Sequence, residues 1–208
     1  MLLKPLVTGH TAAEVVRTHV LTPAGMTRST YGWSEASVSQ AAWPHDIGGE
    51  VMTDKGPAAY LTAMRQGPHR RVESWTDADR VAAATALGKP PLPIYMTPNM
   101  AAGLWTTAED YARFLRFARR FPAMSVPTIS VSGDLAWGQG WGLDRGGNSR
   151  FAWHWGANDG VANLFMLDLD RNAGIVVLTN GAGGQRVYER AARVRFGREF
   201  DSLTWLQS

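Results

Sequence analysis

Residues 149–180 read "SRFAWHWGANDGVANLFMLDLDRNAGIVVLTN", and this run decides the fold. "SRFAWHWG" (149–156) is an aromatic-rich extended segment followed by a short polar turn. "VANLFMLDLD" (161–170) carries apolar side chains on both alternating faces, the pattern of a strand covered on both sides. "RNAG" is a turn, and "GIVVLTN" (174–180) is a strand rich in β-branched residues. Strands this close together, joined by turns this short, predict a small antiparallel sheet.

Just upstream, "AWGQGWGLD" (136–144) reads as a glycine-rich extended segment. Its "GQGWG" looks like a dinucleotide loop, but that fingerprint must follow a strand and open a helix, and here it leads into further strand. Just downstream, "GGQRVYERAARVRFGREF" (183–200) has helical spacing at Val187, Ala191 and Val194, which predicts an inward stripe on a terminal helix. The arginines of this run, from Arg186 to Arg198, read as the solvated face of that docked helix. Nucleic-acid binding would require basic residues interleaved with exposed aromatics or a recognisable motif, and the run has neither.

Further upstream the period is helical. "TAAEVVRTHVL" (11–21) opens with Thr11 and Glu14 in capping-box spacing. "GPAAYLTAMRQG" (56–67) has Pro57 in its first turn and Gly67 past its end. "TDADRVAAATALG" (76–88) starts on Thr76 and Asp79 and stops at Gly88. "TTAEDYARFLRFARR" (106–120) pairs Thr106 with Glu109 and lines up Tyr111, Phe114, Leu115 and Ala118. The reading is an α/β chain of the α+β type. A helical lobe covers residues 1–124, and an antiparallel sheet with a packed C-terminal helix covers 125–208.

Composition narrows the chemistry. The 208 residues are 45% hydrophobic and 19% charged, enough apolar material for a real core. Cysteine is absent, so disulfides and thiolate chemistry are excluded, and this suits a cytoplasmic or an exported protein equally. No apolar run approaches the ~18 residues of a membrane span. "MLLKPLV" is too short, and too soon broken by Pro5, for a signal peptide. His10, His19, His45, His69 and His154 share no metal-ligand spacing, so no metal or other cofactor is expected.

Several stretches, taken in order, resemble the class C β-lactamase-like serine hydrolases, a family that also holds penicillin-binding-protein-like peptidases and esterases. "PAGMTRST" (23–30) is similar to the family's Pro-Leu-Gly-Met-Thr-x-Ser/Thr run, with Ala24 for leucine. "AAWPHDIGGE" (41–50) looks like the loop that follows. "NMAAGLWTTAEDYARFL" (99–115) is similar to its Ala-Gly-Gly-Leu-x-Ser-Thr helix start. "HWGANDG" (154–160), with two strands and "LTNG" (178–181) after it, resembles the third catalytic motif and the C-terminal strands.

The resemblance implies acyl transfer. In the family a serine in Ser-x-x-Lys attacks a carbonyl, the lysine and a Tyr-x-Asn tyrosine manage protons, and a Lys/His-x-Gly strand binds substrate. His154 and Gly156 match that last motif. By resemblance His154 lines the cleft, Trp155 forms a wall, Gly156 lets substrate approach the backbone, and the N–H of Ala157 is an oxyanion donor.

The other two motifs are missing. Three residues before Lys4, Lys55 and Lys89 stand Met1, Met52 and Ala86, and no tyrosine has asparagine two residues on. The chain therefore contains no recognisable nucleophile and reads as the C-terminal portion of such an enzyme, inactive alone. A non-catalytic binding module that keeps the cleft wall for a small acyl ligand is the alternative. A rebuilt triad of His154, Asp159 or Asp168, and a serine such as Ser29 ranks last, because no Gly-x-Ser-x-Gly elbow occurs. If strands from before the serine are missing, Ile175–Leu178 form an open edge that recruits a complementary N-terminal fragment or a second copy.

Overall fold

The computed structural model describes residues 12–31, 40–55, 65, 75–86, 88, 101, 103–146 and 148–206. The helix expected over 56–67 and the cap at Thr11 lie outside the described residues, apart from position 65. Helix α1, Ala12–Val16, runs on through a π turn, Arg17–Leu21, into the short turn Thr22–Ala24. Gly25 ends it at φ +71°, and Met26 N–H donates back to Leu21 O at 2.9 Å. A left-handed residue at this position is the usual way to stop a helix and satisfy its last carbonyls.

Helix α2, Asp77–Ala86, starts as its sequence predicts. Thr76 N–H donates to the Asp79 carboxylate at 2.7 Å and Asp79 N–H to Thr76 Oγ1 at 3.3 Å, a reciprocal cap. Helix α3, Ala108–Ala118, departs from its expected cap by one residue. Thr107, not Thr106, accepts from the N–H three residues on, that of Asp110. The reason is long-range. Asp110 is fully buried and takes Arg28 N–H at 2.7 Å, Ser29 Oγ at 2.9 Å and Arg113 Nη1 at 2.6 Å. A buried carboxylate is tolerated only when so fully paired, and here that pairing sets the start of the helix.

Six strands follow: β1 Ile129–Ser132, β2 Leu135–Trp137, β3 Gly142–Asp144, β4 Phe151–Asn158, β5 Val161–Asp168 and β6 Ala173–Thr179. They form one antiparallel meander in chain order. "GQGWG" is the β2–β3 connection, with Gly140 at φ +102°, and opens no helix.

Both sheet faces are covered. Phe151, Trp153, Leu164 and Met166 pack against Tyr188 and Ala192 of helix α4 (Gly184–Phe196) and against Phe200 and Leu203 at helix α5 (Asp201–Trp205). On the other face Leu143, Ala152, Phe165 and Leu167 meet Leu115 and Ala118 of α3. This double cover explains the unbroken apolar run of β5.

The stripe expected on α4 is corrected. Val187 and Val194 are 57% and 77% exposed, and Gly184, Tyr188 and Ala192 face the sheet. Both sets fit a 3.6-residue period, and the one containing the large tyrosine buries more surface. Among the described residues β6 pairs with β5 alone, which leaves its other edge open. Ile175, Val176 and Val177 on that strand are half-buried, and Leu178 is exposed.

Candidate functional site

Strand β4 is two structures in one. Phe151, Ala152 and Trp153 are buried, while every residue from His154 to Asn158 is exposed. The change falls where β3 ends. Gly142 pairs with Trp153, the last pair in the β3–β4 register, and beyond it, among the described residues, β4 keeps β5 on one side only.

Hydrogen-bond parity then decides which groups face the open side. Leu169 N–H donates to Arg150 O at 2.8 Å, so Arg150 turns its peptide groups toward β5. Alternation along an antiparallel strand turns those of His154, Gly156 and Asn158 the same way. Trp155 and Ala157 therefore present their backbone N–H and C=O to the open edge.

His154 reaches round to that edge. Its Nδ1 lies 2.7 Å from Trp155 O, and its ring stands edge-on to Trp137 of β2, with centroids 5.7 Å apart. A carbonyl only accepts, so Nδ1 carries the proton and Nε2 of the neutral ring is left as an acceptor. Trp155 is 40% exposed, and at Gly156 an added Cβ would meet nothing within 4 Å. The edge ends at the Asp159–Gly160 turn, where Gly160 adopts φ +75° and a Cβ would come within 2.5 Å of Pro44.

A neighbouring loop clasps that turn. His45 N–H donates to Gly160 O at 3.4 Å, Ala182 N–H to His45 O at 2.9 Å, and Lys55 Nζ pairs with the Asp159 carboxylate. His45 Nδ1 lies 2.9 Å from Asn180 O, and Asn180 Nδ2 donates to Trp43 O at 3.0 Å. The "AAWPHDIGGE" loop thus ties the end of β4 to the end of β6. Its contacts span more than a hundred residues of sequence, so no local pattern signals them. Trp137 was equally hidden, inside a glycine-rich segment.

The alternative triad does not assemble. Ser29 Oγ is held by Thr106 Oγ1 at 2.7 Å and by Asp110. The Asp168 carboxylate takes the N–H groups of Asp170 and Arg171 and the Arg171 guanidinium. Asp159 pairs with Lys55. Tyr31 and Tyr111 offer no base either. Burial raises the Tyr31 phenol above its ordinary range, and pushes Tyr111 up to about 12 with help from neighbouring Tyr31. Both stay protonated at neutral pH. Among the described residues no three histidine or carboxylate side chains gather into a cluster fit for a metal ion.

The meander is covered on both faces and carries a His-Trp-Gly strand whose outer edge is open among the described residues. The family model described as Beta-lactamase matches residues 5–198. The chain belongs to the beta-lactamase family. Its fold is similar to that of an octameric penicillin-binding protein homologue from Pyrococcus abyssi, with TM-score 0.57 and 17% identity over 90% of this chain and 38% of that one. It is similar also to a penicillin binding protein from Bacillus halodurans, with TM-score 0.58 and 16% identity over 88% of this chain and 49% of that one. This beta-lactamase family chain thus spans less than half the length of either structure. No curated protein matches it. Among the described residues no helix is long and apolar enough to cross a membrane.

Proposed function

We propose that His154–Asn158 form one wall of a beta-lactamase-type acyl-transfer cleft, and that this chain is the C-terminal portion of the fold, inactive alone. The observation that carries the reading is the open edge of β4, which aims the N–H groups of Trp155 and Ala157 outward beside an exposed His154. The N–H of Ala157 is the oxyanion donor, and Trp155 N–H orients the acyl compound along the strand. Gly156 keeps the strand surface clear. His154 Nε2 accepts a proton or a hydrogen bond at the leaving group.

The attacking group is the missing part. Neither Ser-x-x-Lys nor Tyr-x-Asn occurs in the 208 residues, and the described serine and tyrosine side chains discussed above are either engaged or held protonated. A serine hydroxyl attacks only when a neighbour takes its proton, so this polypeptide orients an acyl compound without cleaving it. The parent reaction is hydrolysis of a β-lactam, an ester or a D-peptide. The open edge of β6 supports association through Ile175–Leu178, with a complementary N-terminal segment or with a second copy.

The test is incubation with a chromogenic β-lactam and a short-chain nitrophenyl ester, followed by fluorophosphonate labelling and intact mass. The expected result is no turnover and no adduct. An acyl or phosphonyl adduct on any side chain of this chain would overturn the reading.

A further inference from the structure

We propose that this cleft is specific for amide ligands that carry a planar aromatic cap, which stacks on Trp137 where the open edge of β4 begins. The proposal rests on the reading of β4 as a cleft wall and adds the class of ligand it takes.

The open edge has a direction. Ala157 lies at its turn end, and Trp155 one strand repeat, about 7 Å, nearer the sheet. A further repeat along, at Trp153, the edge is closed by Gly142 of β3. A compound whose carbonyl meets Ala157 N–H, and whose amide continues along Trp155, carries its far end to this junction. What waits there is aromatic. Trp137, the last residue of β2, has its ring centroid 5.5 Å from Trp153, 5.7 Å from His154 and 6.5 Å from Trp205. Trp205, on α5, also lies 6.1 Å from Trp153 and is 38% exposed.

These rings are held, not loosely draped. Trp153 is 2% exposed, and its indole lies over Gly142, where a Cβ would come within 2.4 Å of it. Trp137 rests on that fixed surface from β2, across Gly142 of β3. Preformed aromatic surface at the end of a hydrogen-bonding edge suits a planar apolar group better than a methyl cap. His154 adds selectivity, because its ring holds Trp155 O and leaves the N–H of that residue as its open partner on the edge. Beside Trp155 the ligand must then supply a carbonyl acceptor, as acyl amides do.

The experiment is a titration of the full 208-residue chain followed by backbone amide NMR. Probes are a benzoyl-capped and an acetyl-capped dipeptide amide of the same sequence, with benzamide as control. The benzoyl compound is expected to bind about tenfold tighter than the acetyl compound, from ring stacking. Both should shift the Trp155 and Ala157 amides, and benzamide should bind far more weakly than either. Trp137→Leu should reduce the benzoyl preference to about twofold or less. Trp205→Leu gives a second check if that variant unfolds, and should weaken the preference while leaving acetyl binding unchanged. Equal affinity for the two caps, with both amides shifted, overturns the aromatic selectivity and leaves the cleft wall standing. Binding of neither at millimolar concentration overturns both.

Discussion

Trp153 and Trp155 are the same residue type, two positions apart on one strand and on the same face, and their fates are opposite. Trp153 is 2% exposed and Trp155 is 40% exposed. Hydrophobicity cannot separate them. What separates them is the company the strand keeps: α4, α5 and β3 close around the first half of β4, and nothing among the described residues closes around the second. A protein that leaves five consecutive strand residues exposed, backbone edge included, forgoes stabilisation there. Sites that must admit a ligand carry this kind of deficit.

The largest effect should come from breaking the closed half. Trp153→Ala is expected to lower unfolding free energy by about 3–5 kcal/mol in urea denaturation, and Trp155→Ala by less than about 0.5 kcal/mol. Equal costs would erase the distinction between the halves.

The floor beneath β4 gives the next contrast. Tyr111 of α3 packs 5.8 Å from Phe165, the cross-strand partner of His154, and its phenol is raised from 10.0 to about 12. The folded state therefore holds the proton more tightly than the unfolded chain. The stability is fully present below about pH 10 and is lost as pH rises toward 12, by about 2–3 kcal/mol. Tyr111→Phe should flatten that alkaline limb. An unchanged slope would place the ring in solvent instead.

Two glycines sharpen the comparison at smaller scale. Gly142→Ala pushes a Cβ against the Trp153 ring and should cost about 1–3 kcal/mol. Gly156→Ala meets nothing within 4 Å and should leave Tm almost unchanged. Thermal melts of the two variants check this directly.

How much of this was legible in the sequence depends on the range of the forces involved. The Thr76–Asp79 cap and the double-faced run of β5 could be read directly, because one is a contact over three residues and the other is a pattern of composition. The cap of α3 was misplaced by one residue because Asp110 answers to Arg28 and Ser29, some eighty residues away. The α4 stripe differs from its expected one because two sets of residues, one with Val187 and Val194 and one with Tyr188 and Ala192, share one period, and only the sheet chooses between them. At the site, His154, Trp155, Gly156 and Ala157 came from a motif resemblance. The open edge that gives them a direction came from where β3 stops, and strand length is set by pairing partners rather than by the strand itself. Trp137 and the His45–Lys55 clasp carried no signal, since each matters only through contacts across the fold.

Amide hydrogen exchange along β4, read residue by residue, tests the open-edge account most directly. The account predicts slow exchange at Trp153, slow exchange at His154, Gly156 and Asn158 where β5 accepts, and fast exchange at Trp155 and Ala157. Uniform protection from Trp153 to Asn158 would mean that the edge is already filled, and would contradict it.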